Sequence, residues 1–264
     1  MHNPKIIFFD IDDTLYRKET DTMRPSVPEA MRALKQRGIL TAIATGRTLA
    51  ALPAKIKNLI QESGIDMLVT INGQYTVYQN NVLQSYPIPT GDIERLCTFL
   101  DSMNVDYAFV SPHTIAVSRS VEPVHHALTK ILPDYTVDQH YYRQHDVYQM
   151  LLFYGEDQDS FFNTAPALAG FKTIRWHEQS VDLLAADGSK ARGIAQAVAR
   201  LGIDMQDVMA FGDGLNDIEM MQSVGFGVAM GNAHPETKAV ADYICPSVEE
   251  DGVLNGLKQL GVLP

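Results

Sequence analysis

Three carboxylates, Asp10, Asp12 and Asp13, stand directly after the apolar run Ile6-Ile7-Phe8-Phe9. Strand stability does not ask for them, because Asp is depleted in strands and like charges this close repel. The simplest partner is a hard cation with oxygen ligands. A solvated Asp-rich turn that merely ends a strand reads the same in isolation. A second run, Gly212-Asp213-Gly214-Leu215-Asn216-Asp217, repeats the logic after the buried stretch Val208 to Phe211. Its glycines let backbone approach a ligand closely, and two acidic strand ends of one parallel sheet can converge on one cation. Thr45 and Lys190 stand at comparable places, a strand end and a helix start.

The elements that must carry these groups follow from the hydrophobic pattern. Ile6 to Phe9 reads as a strand buried on both faces, the usual state in a parallel sheet. Ser26-Val27-Pro28-Glu29 reads as a capping box with an early proline, opening a helix that Gly38 closes. Leu40 to Ala44 is a second strand, Leu49 to Glu62 has helical spacing, and Met67 to Ile71 is a third strand. This β-α-β-α-β order predicts a parallel sheet with right-handed crossovers. After Asn72-Gly73 the texture changes, and Tyr75 to Tyr78 and Val82 to Tyr86 flank Asn80-Asn81 as a hairpin. To about Ala185, antiparallel-type strands interleave with helices. From Lys190 the α/β alternation returns. The reading is an α/β, Rossmann-like parallel-sheet core, residues 1–79 and 187–264, split by an inserted α+β domain at 80–186.

At 264 residues the chain has ample material for a core, and its 45% hydrophobic and 20% charged shares are those of a globular protein. A net charge of −11 argues against nucleic acid and against anionic membranes as partners. No apolar run approaches the roughly 20 residues that span a bilayer. The short apolar stretch before Asp10 does not suit a secretory signal, and the expected location is cytoplasmic. Two isolated cysteines, Cys97 and Cys245, suggest neither a disulfide framework nor a zinc site.

Asp10-Ile11-Asp12-Asp13-Thr14, Ala44-Thr45-Gly46-Arg47, Gly188-Ser189-Lys190 and Gly212-Asp213-Gly214-Leu215-Asn216-Asp217 resemble, in order, the four signature motifs of the haloacid dehalogenase (HAD) superfamily. Asn72-Gly73, the run Val228 to Ala233 and Glu250-Asp251-Gly252-Val253 further resemble its Cof-type phosphatases, which carry a large α/β cap between the second and third motifs. The resemblance is specific over the split core and weak over the cap. It implies a Mg2+-dependent phosphomonoesterase acting on a small phosphorylated metabolite such as a sugar phosphate, nucleotide or phosphorylated cofactor. Asp10 would be the nucleophile that forms an aspartyl-phosphate, and Asp12 the general acid and base. Asp10, the Asp12 carbonyl and Asp213 would hold the metal. Thr45, Gly46, Lys190 and Asn216 would bind the phosphoryl group, with Asp217 and Asn72 in support. The cap would close over the site and select the substrate.

Rival readings remain at this stage. A phosphomutase or phosphotransferase of the same superfamily uses the same residues. A receiver-like signalling module also gathers acids, a Thr and a Lys at one sheet end, but needs its phosphoacceptor on a later strand. A dinucleotide-binding module lacks its glycine-rich turn. Arg47 reads equally as a phosphate ligand or a helix-start residue. His125-His126, His140 and His145 lack cysteine or acidic partners at ligand spacing and read as surface residues, and Tyr141, Tyr142, Arg143 and His177 read as solvated cap surface. Met205, Met209, Met220 and Met221 read as core fillers.

Overall fold

A computed structural model describes residues 3–264, in two compact units. In chain order the first segment carries strand β1 (Ile6–Phe9), helix α1 (Ser26–Gln36), β2 (Leu40–Ala44), α2 (Ala54–Ser63), β3 (Met67–Thr70), β4 (Tyr75–Tyr78) and β5 (Asn81–Ser85). The middle carries α3 (Thr90–Ser102), β6 (Asp106–Val110), β7 (Ile115–Val117), α4 (Glu122–Leu128), β8 (Thr136–Val137), β9 (Gln149–Phe153), α5 (Asp159–Thr164), β10 (Phe171–His177) and β11 (Ser180–Ala185). The last segment carries α6 (Lys190–Arg200), β12 (Val208–Gly212), α7 (Ile218–Ser223), β13 (Phe226–Ala229), α8 (Pro235–Val240), β14 (Tyr243–Ile244) and α9 (Gly252–Gln259).

The first unit comprises Met1–Gly46, Pro53–Gln84 and Ser189–Pro264. Its eight-stranded sheet runs β14-β13-β12-β1-β2-β3-β4-β5. Pairing is parallel from β14 to β3 and turns antiparallel at β4. β1 lies between β2 and β12, with Ile6 level with both Leu40 and Val208. That position explains its unbroken apolar run, since alternate side chains enter opposite cores. Ile6 and Phe8 join a cluster with Ile194, Ala197 and Val198 of α6 and Met220 and Met221 of α7. On the other face Phe9 stacks on Phe211 with ring centroids 5.2 Å apart, and Gly256 of α9 packs closely on the Phe211 ring. Each such buried side chain contributes about 1.5–3 kcal/mol.

Two local expectations are corrected here. α1 buries Val27, Ala30, Met31 and Leu34 on one face, but Pro25 precedes it and no side chain caps it. Ser26 Oγ instead donates to Asp251 Oδ1 at 2.6 Å. α2 begins at Ala54 rather than Leu49, because Pro53 supplies no N–H and keeps the residue before it out of helical conformation.

The second unit comprises Arg47–Leu52 and Ser85–Gly188. The boundary drawn at 79/80 thus falls inside the β4–β5 hairpin, which stays with the first unit through Gln84. Arg47–Leu52 joins the second, where Thr48 Oγ1 donates to the Ser111 carbonyl at 2.5 Å and Ala50 N to Pro112 O at 3.1 Å. The six-stranded sheet runs β10-β11-β9-β6-β7-β8 and is antiparallel except for β7–β8. Ile93, Leu96 and Leu100 of α3 and Phe162 of α5 cover one face, against Tyr107, Phe109, Met150, Leu152 and Leu183. Among the described residues no helix is long and apolar enough to cross a membrane.

Candidate active site

The carboxyl ends of β1 and β12 bring the two acidic runs together. Asp10 continues the ladder, donating its N–H to Phe211 O at 2.9 Å, and its side chain is buried. The chain then folds around the Ile11 carbonyl, which accepts from the N–H groups of Thr14, Leu15 and Tyr16 at 3.3, 3.0 and 3.0 Å. Asp13 takes a left-handed φ of 58° inside this turn, a conformation that Asp tolerates better than most residues. Thr14 Oγ1 donates to Asp213 Oδ1 at 3.0 Å and ties the two runs directly. Thr14 lies within the first motif, yet nothing in its type or spacing reveals this role.

Lys190 opens α6, where a cation opposes the positive end of the helix dipole. Its ammonium donates to Asp10 Oδ1 at 2.5 Å and to Asp217 Oδ1 at 2.7 Å, with only 1% of the lysine exposed. The other Asp217 oxygen accepts from the N–H groups of Asp213 and Gly214, both at 2.9 Å. A Cβ at Gly212 would lie 2.6 Å from the Asp217 carboxylate, so the glycine is what admits it. Asp217 therefore orients Lys190 and shapes the Asp213 turn.

Electrostatics mark the cluster as short of positive charge. Burial, with Asp217 and Asp12 nearby, pushes Asp10 up to about 7 even though Lys190 pulls the other way. Burial and the charges of Asp10 and Asp217 push Asp213 up to about 8. Lys190 loses solvation too, but Asp10 and Asp217 outweigh that loss and hold it protonated. Oxygens of Asp10, Asp213 and Asp217 lie within 4.8 Å of one another. An all-oxygen set with unmet negative charge fits a hard divalent cation. The Asp12 side chain is outside this cluster, and its expected contribution is through its backbone carbonyl.

The residues expected from the sequence to bind phosphate are held at and beside the neighbouring strand ends. Thr45 is buried at the end of β2, donates its N–H to Val69 O at 2.9 Å, and accepts from Asn72 N at 3.0 Å. Asn72 Oδ1 accepts from Asn216 Nδ2 at 3.3 Å, and a Cβ at Gly46 would sit 3.1 Å from the same oxygen. Ile71, Asn72 and Gly73 all have positive φ, at 51°, 48° and 85°. Gly73 is required, because a Cβ there would collide with the Ser189 carbonyl at the start of α6. The structure thus gathers Asp10, Asp213, Asp217 and Lys190 in one cluster and links Thr45, Asn72 and Asn216 in a second chain of contacts. Arg47 donates to the Ala51 carbonyl at 2.8 Å, closing its own turn in the second unit.

Known proteins share this chain's sequence pattern and fold. A family model for haloacid dehalogenase-like hydrolases matches residues 7–257. YkrA of Bacillus subtilis (strain 168), named as a phosphatase, is 37% identical over 98% of both chains. From the same organism, 5-amino-6-(5-phospho-D-ribitylamino)uracil phosphatase YcsE is 28% identical over 96% of this chain and 94% of its own. The solved structure of a HAD subclass IIB sugar phosphatase superposes with a TM-score of 0.87 at 31% identity, covering 98% of this chain and all of that one. With its motifs in place on this fold, the chain belongs to the haloacid dehalogenase-like hydrolase family and is one of its phosphatases.

Proposed function

We propose that this enzyme hydrolyses monophosphate esters of small metabolites with Mg2+, through an aspartyl-phosphate on Asp10. The observation that carries the reading is the buried contact of Asp10 with Lys190 beside Asp213, a nucleophile and a phosphoryl-binding cation in one desolvated cluster. Lys190 fixes the Asp10 carboxylate in one rotamer, and its charge favours phosphoryl oxygens as negative charge shifts during transfer. Asp10 attacks phosphorus, the ester P–O bond breaks, and Asp12 protonates the leaving oxygen. Asp12 then takes a proton from the water that hydrolyses the acyl phosphate, which restores both residues. Thr45 and Asn216, linked through Asn72, hold the remaining phosphoryl oxygens. A divalent cation held by Asp10, Asp213 and the Asp12 carbonyl supplies the charge that keeps the carboxylates ionised beside a phosphate dianion.

The relatives' substrates, a phosphoribitylamino-pyrimidine and sugar phosphates, support a small phosphorylated metabolite. Asp10, Asp12, Thr45, Lys190, Asp213 and Asn216 all lie in the first unit, so choice among esters is assigned to the second. Cys97 and Cys245 are both free and buried, which suits the reducing cytoplasm. The test is phosphate release from 4-nitrophenyl phosphate and then from a panel of phosphorylated metabolites, with Mg2+ and after chelation. Acid quenching should trap phosphate on the Asp10 peptide. Release that proceeds at full rate without phosphate ever appearing on Asp10 overturns the mechanism.

A further inference from the structure

The loop from Met230 to Thr237 holds both acidic turns at once. Met230 N donates to Gly212 O at 3.0 Å and His234 N to Asp213 O at 2.9 Å, while the buried Thr237 hydroxyl donates to Gly214 O at 2.8 Å. These three bonds grip the turn after β12. A fourth crosses to the turn after β1, where Asn232 Nδ2 donates to the Asp13 carbonyl at 2.9 Å. Asn232 Oδ1 accepts from Val248 N at 2.8 Å. One partner is an acceptor and the other a donor, so the amide has a single satisfying orientation.

The support behind Asn232 is firm. A Cβ at Gly231 would lie 2.7 Å from Ser247 N, so this glycine lets the loop seat directly on residues 245 to 247. Ser247 and Glu250 form a reciprocal capping box. The same stretch reaches the β1–α1 connection twice more, through Glu249 to Arg17 at 3.2 Å and through Asp251 to Arg24 and Ser26.

We propose that Asn232 is a positioning residue for Asp12. Asp13 follows Asp12 in a left-handed conformation, and its carbonyl faces the Asn232 amide. Holding that carbonyl fixes the plane of the peptide after Asp13 and with it the seat of the preceding carboxylic acid. The proposal rests on the reading of Asp12 as the general acid. An acid matters most when the departing oxygen is basic, as in an alkyl ester, and least when it is nitrophenolate, which leaves unprotonated.

The experiment compares kcat/KM for 4-nitrophenyl phosphate and for an alkyl phosphate that the wild-type enzyme turns over, in wild type, Asp12→Asn, Asn232→Ala and Asn232→Asp. The alkyl-to-aryl ratio within one preparation cancels any difference in folded fraction. Asn232→Asp keeps the acceptor for Val248 but replaces the donor to Asp13 with a charged acceptor, whereas Asn232→Ala removes the donor without adding charge. The ratio should fall roughly tenfold in both Asn232 variants, the scale of one to two net hydrogen bonds, and further in Asp12→Asn. A shifted ratio in Asp12→Asn with both Asn232 variants unshifted overturns the proposal and leaves Asp12 as the acid. An equal loss on both esters in the Asn232 variants also overturns it, by showing a purely structural role. An unshifted ratio in Asp12→Asn removes the general acid, and the proposal falls with it.

Discussion

Two places among the described residues bring three metal-ligand side chains within 4.8 Å, and they differ in everything else. Asp10, Asp213 and Asp217 lie in the first unit, largely out of water. His126, His177 and Glu178 lie in the second, with the His126 and Glu178 side chains 53% and 65% exposed. The two imidazoles meet edge to face at 5.0 Å. His177 Nδ1 accepts from Gln179 N at 3.1 Å, so its neutral ring carries the proton on Nε2, the tautomer unsuited to binding a metal there. Glu178 Oε1 approaches His126 Nδ1 at 3.6 Å at the exposed surface. Nearness alone therefore does not create demand for a cation. Buried carboxylates without enough counter-charge create it, and exposed groups let water supply what is missing.

The largest expected effect tests the first cluster directly. Asp10→Asn should lower kcat/KM by roughly a thousandfold or more, since an amide is a far poorer nucleophile. Its melting temperature should change little because burial already disfavours the charged Asp10 carboxylate while Lys190 keeps Asp217. Chelation should abolish turnover, Mg2+ should restore it, and excess Ca2+, with its longer and more numerous bonds, should inhibit.

Asp217→Asn comes next, because it takes the carboxylate from Lys190 and from two backbone N–H groups. Breaking a buried pair of this kind costs about 3–5 kcal/mol, which thermal unfolding will register together with a fall in kcat.

A pH-dependent effect follows from the raised pKa values. Metal-free native protein keeps protons on Asp10 and Asp213 up to about 7 and about 8, whereas the unfolded chain releases them near 3.8. Between these values the native state binds more protons, so this contribution to stability declines as pH rises from about 4 to about 8. Urea unfolding at several pH values should show the decline without metal, a shallower one with Mg2+, and a shallower one in Asp213→Asn.

The smallest expected effect is at the other cluster. His126→Ala with His177→Ala should leave Mg2+-supported activity within about twofold and stability within about 0.5 kcal/mol. Loss of most activity in that pair would break the contrast between the two sites.

Much of the core was readable because its demands are local. Ile6 to Phe9 and Val208 to Phe211 are buried on both faces and end in charge, and few structures other than a parallel sheet with a site at its edge accommodate both. Asp10 and Asp213 stood out for the same reason, whereas Lys190 stood out at a helix start and took its role from the family resemblance. Partners chosen by the tertiary fold were hidden. Ser26 satisfies the local spacing of a capping box, yet its hydroxyl goes to Asp251, 225 residues away. Leu49 and Leu52 have helical spacing, but Thr48 and Ala50 bond to the second unit. β8 and β14 have two residues each, too few for any periodicity. Glu178 meets His126 only because α4 and the β10–β11 turn converge, and Thr14 finds Asp213 only once β1 and β12 are neighbours.

The place of β1 between β2 and β12 has a consequence for synthesis of the chain. β2 is made soon after β1, but Val208, the first residue of β12, emerges about two hundred residues later. Until then one side of Ile6-Ile7-Phe8-Phe9 presents unpaired N–H and C=O groups on a strand with no charge of its own. That is the form of edge that recruits other chains. The second unit has its own core and can fold while the ribosome finishes the first, which draws the two halves of the split sheet close and lowers the entropy of closing it. A nascent chain stalled after Ala185 is thus the species of this protein most exposed to aggregation, and the one on which a chaperone has the most to cover.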